Sequence, residues 1–299
     1  MPSSDLKGAF DPESFRERGH RIVDRLAGHL AASLRDPAMP VLPWKDPEAM
    51  LAAWPGGFSR HGDGDLEELL DRFLEESQHL HHPRFVGHQV AVPLPETALA
   101  ELAGRLANNG MAIYEMGPVL WAMERRVIGW MSAVLGLGEE AGGVLTSGGT
   151  LGNLHALLAA RRFRAGHDTW EEGMAKGPPL AFLVPVAAHY SSERAGRSLG
   201  RGREGIVPVA VDEALRMKTS DLEPALRRAE AAGRKVLGVV ANACCTPTGT
   251  FDPLGAVADF CDAHGLWMHV DGAHGACAAL SPAHASRVAG IERADSVVW

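Results

Sequence analysis

Beyond residue 142 the chain alternates short apolar runs with helical stretches, and this alternation limits its fold more than any other feature. GVLT (143–146), LAFLVPV (180–186), IVPVAV (206–211), KVLGVVA (235–241), LWMHVD (266–271) and SVVW (296–299) each read as a strand. Between them fall GTLGNLHALLAARR, a helix around Ser192 to Leu199, a helix up to Ala232 with Ser220 and Glu223 as a capping box, and PLGAVADFCDAHG, which stops at Gly265. Strands joined through helices pair in parallel, because a tight hairpin cannot reverse them. A parallel sheet is covered on both faces, so the expected class is α/β. Ligands on such sheets sit at the carboxyl ends of the strands.

The first part of the chain reads as helical. Ile22, Val23, Leu26, Leu30 and Leu34 recur near helical spacing after an Asp11-Pro12 start. PAMPVLPWKDPEAM follows as a linker or extended arm, and Leu66, Leu69, Leu70, Phe73 and Leu74 form one apolar helix face. Two more helices are expected over Thr97 to Asn109 and Pro118 to Leu135. The expected division is an N-terminal helical arm over 1–95 and a large domain over 96–299. A formal net charge of −8 argues against nucleic acid as the main partner. No apolar run reaches membrane-span length, and the polar start lacks a signal-peptide core. The 4 cysteines, two of them adjacent, fit neither a disulfide framework nor a zinc pattern, so a reducing, cytoplasmic setting is expected.

Four segments carry candidate chemistry, each expected at the end of a different strand. In LTSGGTLGNLHALLAAR, the small residues Ser147, Gly148, Gly149 and Thr150 open a helix, where backbone N–H groups can cradle an anion. A plain strand–helix turn would use the same glycines. The segment is no Walker loop, since no Gly-Lys-Ser/Thr follows, and it lacks the first glycine of the dinucleotide fingerprint. His189 follows an apolar strand and could stack on a flat ligand or simply be a bonded histidine. Thr246 and Asp252 lie in the turn of ANACCTPTGTFDPL. Asp271 ends LWMHVD, where a buried carboxylate is costly without a partner; a helix cap or a surface arginine would be the ordinary ones. A flat cofactor with a phosphate at one end and a basic ring nitrogen at the other would use all four. Pyridoxal phosphate has that shape, and a carboxylate at its ring nitrogen keeps the ring an electron sink.

At these residues the sequence resembles the group II pyridoxal-phosphate-dependent amino-acid decarboxylases, a branch of the aspartate-aminotransferase fold (fold type I). HHPRFVGH, NNGMAIYEMGPVLWAMERRVIGWM, TSGGTLGNLHALLAAR, AAHYSSERAGRSLG, TGTFDPL and HVDGAHGA follow in that family's order along nearly the whole chain. The resemblance implies a large domain with a mainly parallel sheet of the seven-stranded type. It implies pyridoxal 5'-phosphate as cofactor, with Gly149 and Thr150 on the phosphate and Ser147 and Gly148 completing the loop. His189 would stack on the ring, Thr246 would lie near the cofactor oxygen or substrate carboxylate, Asp271 would pair with the ring nitrogen, and Ala273 would pack beneath. His82 and Phe85 would sit on the substrate side. The implied activity is decarboxylation of an L-amino acid to its amine and CO2, a lyase reaction of amino-acid metabolism. The implied assembly is a homodimer with active sites at the interface.

One departure stands beside the matches. The family's Schiff-base lysine follows a strand like ADSVVW, and none of Lys7, Lys45, Lys176, Lys218 and Lys235 occupies that position. The chain therefore reads as a truncated form lacking that lysine and the C-terminal small domain, and as given it is expected to be inactive. The residues leave other readings open: another fold-type-I enzyme (lyase, desulfurase or aminotransferase), or a non-catalytic truncated protein of the same fold. A metal site is not expected. His79, His81, His82 and His88 lie in an extended stretch, and His264, His269 and His274 are spread over helix end, strand and turn.

Overall fold

The computed structural model describes residues 8–54 and 65–299. The chain divides into two compact units, 1–108 and 109–299.

The first unit is helical: α1 (Pro12–Arg35), α2 (Pro47–Ala52), α3 (Leu66–Glu76) and α4 (Pro95–Ala107). Asp11, Asp46 and Asp65 cap the first three by accepting a backbone N–H of the first turn, and proline opens α1, α2 and α4. Arg21 and Arg25 of α1 meet Glu67 of α3 at 2.7 and 3.0 Å. The expected arm PAMPVLPWKDPEAM is extended only at first; its end turns into α2, because Asp46-Pro47 is a helix start.

The second unit begins with α5 (Pro118–Val134) and α6 (Gly149–Arg164). It continues with β1 (Leu180–Pro185), α7 (Tyr190–Gly196), β2 (Ile206–Val209), α8 (Leu222–Ala231), β3 (Lys235–Asn242), α9 (Leu254–His264), β4 (Trp267–Asp271) and β5 (Ser296–Val298). The sheet is parallel throughout, in the order β2-β1-β3-β4-β5. Asn242, Asp271 and Val298 lie side by side at its carboxyl end.

Alternate residues of β1 serve opposite faces. Phe182 and Val184 pack with Leu157 and Ala160 of α6, while Ala181 and Leu183 join Leu222, Leu226, Val257 and Cys261 from α8 and α9. Full burial of a side chain such as Phe182 stabilises the fold by roughly 1.5–3 kcal/mol. Gly265 closes α9 in the left-handed region at φ 62°, as its position predicts.

Two local expectations fail. GVLT is not a strand: Val144 and Leu145 are exposed, and the Leu145 N–H donates to the Glu124 carboxylate rather than to a neighbouring strand. The sheet of the described residues has five strands, the other five of the six read from the sequence. Ser220 and Glu223 make no capping box. Thr219–Asp221 forms a single tight turn, and Asp221 precedes α8 while accepting from the Ala210 N–H and pairing with Arg228.

Candidate functional site

Helix α6 begins without a side-chain cap. Gly148 precedes it at φ 151°, a conformation that favours glycine, and its carbonyl accepts from the N–H groups of Leu151 and Gly152. The N–H groups of Gly149 and Thr150 make no such bond and remain available to an anion, with the positive end of the helix dipole behind them. Ser147, Gly148, Gly149 and Thr150 line a cavity of about 400 Å³ together with Arg194 and Ser198. A Cβ on Gly149 would stand 2.8 Å from the Ala273 Cβ. The glycine therefore lets the start of α6 touch the loop that follows Asp271.

Asp271 ends β4 and is buried. One carboxylate oxygen accepts from the Ala273 N–H at 3.3 Å, the other from the Asn153 side-chain amide at 2.8 Å. Both donors are neutral, and no lysine or arginine forms an ion pair with Asp271 among the described residues. Neither ordinary partner weighed for this carboxylate, a helix N-terminus or a surface arginine, is present. Asn153, the residue that donates to Asp271, lies about one turn, or 6 Å along the axis, from the start of α6.

His189 follows β1, precedes α7, and is half-buried. Its Nδ1 meets the Ser191 hydroxyl at 2.8 Å and the Ser191 N–H at 3.3 Å, and its ring lies 4.0 Å from that of Tyr190. Ser191 Oγ also accepts from Asn153 Nδ2 at 2.8 Å. Thr246 is half-buried in the turn after β3. Asp252 is no simple turn residue: it is buried and accepts from the N–H groups of Met217 and Asn242 and from the Asn242 side chain. Burial pushes its carboxyl upward in pKa, against those bonds. Cys244, Cys245 and Cys261 are buried, and burial pushes the Cys261 thiol up to about 12.

His82 and Phe85 belong to the first unit. The His82 ring is buried and fully engaged there, Nε2 with the Asp36 carbonyl and Nδ1 with the Arg84 N–H, while Phe85 is half-buried. Lys45 pairs with Glu76, Lys176 with Glu172, and Lys235, at the amino end of β3, with the Ala165 carbonyl. Lys218 follows β2 near Asp221, and Lys7 lies outside the described residues.

Sequence reasoning missed Asn153 and Ser191, and considered His269 only as a metal ligand. His269 is fully buried beneath Asp271; its Nε2 meets Asn153 Oδ1 at 2.9 Å and its Nδ1 meets Ser296 Oγ at 3.0 Å. Burial pushes this imidazole down to about 4, with the nearby Asp271 opposing. The available signal was a polar Asn on the inward face of an otherwise apolar helix.

An open parallel sheet with an uncapped helix start, a histidine and a buried carboxylate at its carboxyl edge defines an α/β domain laid out to hold a ligand there. The chain belongs to the pyridoxal-dependent decarboxylase family, whose conserved domain matches residues 55–299. It is 34% identical over 262 residues to the cysteine sulfinic acid decarboxylase of Mus musculus, covering 87% of this chain and 52% of that protein. It is 30% identical over 289 residues to an acidic amino acid decarboxylase of Xenopus tropicalis, covering 96% of this chain and 56% of that one. The chain thus spans about half the length of the curated relatives it matches. Among solved structures, mouse CSAD superposes with a TM-score of 0.84 at 31% identity, over 96% of this chain and 60% of that one. The glutamate decarboxylase domain of a Vibrio parahaemolyticus enzyme gives 0.80 at 25% identity, over 92% of this chain and 62% of that one.

Proposed function

We propose that the complete protein decarboxylates an acidic L-amino acid to its amine and CO2 with pyridoxal 5'-phosphate. The observation that carries this reading is Asp271, a buried carboxylate with neutral donors only, one of them about a helical turn from an open anion cradle. A ligand that is anionic at one end and cationic at the other meets both needs, and pyridoxal phosphate is such a ligand. When bound, it supplies an electron sink for the bond between the substrate's α-carbon and carboxylate.

The chain's own residues bind and orient. The N–H groups of Gly149 and Thr150, with Ser147 and Gly148, hold the phosphate. Asp271 would keep a proton on the ring nitrogen, and Ala273 and His189 would pack against the ring. Thr246 would hydrogen-bond at the ring oxygen or the substrate carboxylate. Relatives named for cysteine sulfinic acid and for acidic amino acids support an acidic substrate. The same reading makes the enzyme a homodimer and places it in the cytosol, where its four unpaired cysteines stay reduced.

The test is CO2 release by the full-length protein from cysteine sulfinate, aspartate and glutamate, with and without pyridoxal phosphate. Asp271→Ala is expected to lower turnover by roughly a hundredfold or more while the fold persists. Keto-acid product in place of CO2, or an Asp271→Ala variant as active as the parent, refutes the reading.

A further inference from the structure

Asn153 sits between three groups, with both of its amide protons and its carbonyl oxygen engaged. It is buried, as are Ser191 and His269. Its Nδ2 donates to Asp271 Oδ2 and to Ser191 Oγ, both at 2.8 Å. Its Oδ1 faces His269 Nε2 at 2.9 Å. The sense of the amide follows from chemistry: reversed, its oxygen would face the Asp271 carboxylate, an acceptor against an acceptor. With Oδ1 toward His269, the proton of His269 must be on Nε2. Burial keeps that ring neutral, so its Nδ1 accepts from the Ser296 hydroxyl at 3.0 Å, closer than the Ser296 carbonyl at 3.3 Å, and that hydroxyl in turn accepts from Trp267 Nε1 at 2.8 Å.

The other branch is equally determined. Ser191 Oγ accepts from Asn153, which leaves its own proton to donate to His189 Nδ1 at 2.8 Å. The Ser191 backbone N–H points at the same nitrogen at 3.3 Å. Two donors on Nδ1 put the His189 proton on Nε2.

We propose that Asn153 is a positioning residue which, through one side-chain amide, sets the carboxylate of Asp271, the tautomer of His269 and, by way of Ser191, the tilt of His189. The two contacts to the ring are then one unit rather than two independent ones. This rests on the pyridoxal phosphate reading for its functional consequence, but its geometry holds in the ligand-free protein. Replacing Asn153 leaves each contact in place and removes what links them.

Two measurements test it. Long-range ¹⁵N–¹H spectra of the histidine-labelled, ligand-free protein are expected to show His269 and His189 each as a single Nε2–H tautomer. In Asn153→Ala, His269 is expected to lose its single tautomer. An Nδ1–H tautomer at either ring in the parent protein, or unchanged His269 tautomers in Asn153→Ala, overturns the proposal. Should Asn153→Ala not fold, the milder Asn153→Ser takes its place in both measurements, with the same outcomes deciding.

The second is a double-mutant cycle on the affinity for pyridoxal phosphate, pairing Asp271→Asn with Ser191→Ala. The two effects are expected to depart from multiplicative behaviour by roughly threefold or more, and to become multiplicative once Asn153 is Ala. Multiplicative effects in the parent background overturn the proposal. Failure of the parent to bind pyridoxal phosphate sinks the functional reading instead, and the tautomers still decide the role of Asn153.

Discussion

Three glycines of the second unit have different surroundings, and the space around each decides what a methyl group would do. Gly149 faces Ala273, so Gly149→Ala must push the start of α6 away from the Asp271 loop. Its cost is expected in ligand affinity, at least about tenfold for pyridoxal phosphate by fluorescence titration, with a small change in melting temperature. Gly238 in β3 faces the backbone of Trp267 in the neighbouring strand, which cannot yield as a side chain can. Gly238→Ala is therefore expected to destabilise by several kcal/mol, as overpacking of a rigid core does, in urea unfolding. Gly255 in α9 has nothing near its would-be Cβ. There Gly255→Ala is expected to stabilise by up to about 1 kcal/mol, the helix-propensity difference alone. An equal response at Gly238 and Gly255 would show that the β3–β4 approach is looser than described.

Strand β4 joins core and site, and its pH response follows from His269. The folded-state value of about 4 lies below the unfolded value near 6.5, so the unfolded chain binds the proton first as pH falls. Stability from this group is whole above pH 6.5 and declines toward pH 4, by an amount of about 3 kcal/mol. Asp252 acts in the other direction, since its raised folded-state pKa favours the folded form as pH drops. Comparing the parent with His269→Asn cancels Asp252. The expected result is a flatter stability–pH curve for the variant between pH 6.5 and 4, read by chemical unfolding; identical curves would show that His269 is not held neutral. This element also shows what the sequence discloses. LWMHVD is legible as a strand because its run is apolar and ends at a turn, and Asp271 stands out because it breaks that run. His269 is not legible as a site residue, because its partner Asn153 is 116 positions away. GVLT misleads for a related reason: a short apolar run becomes a strand only if a neighbour pairs with it, and Leu145 finds Glu124 instead. Local pattern foretold the Gly265 helix stop, while Asp221 displaced the Ser220 box through Arg228 and Ala210, contacts no local pattern contains.

At the scale of the whole molecule, apolar surface is the feature that most needs a partner. Helix α5 buries only Ile128, yet exposes Val119, Met123 and Trp130 by 64%, 58% and 68%. These residues fall along one stripe of the helix, since steps of three or four share a face. Exposed patches of several hundred Å² on a folded protein mark interaction surfaces, and a charge placed at their centre disrupts association without touching the core. If a second copy covers this stripe, the full-length protein sediments as a dimer at micromolar concentration. Trp130→Glu and Met123→Glu together are then expected to give a monomer with unchanged far-ultraviolet circular dichroism. Because both side chains are already exposed within the chain, loss of the dimer cannot be blamed on loss of fold. A parent protein that sediments as a monomer would remove the dimer from the functional reading.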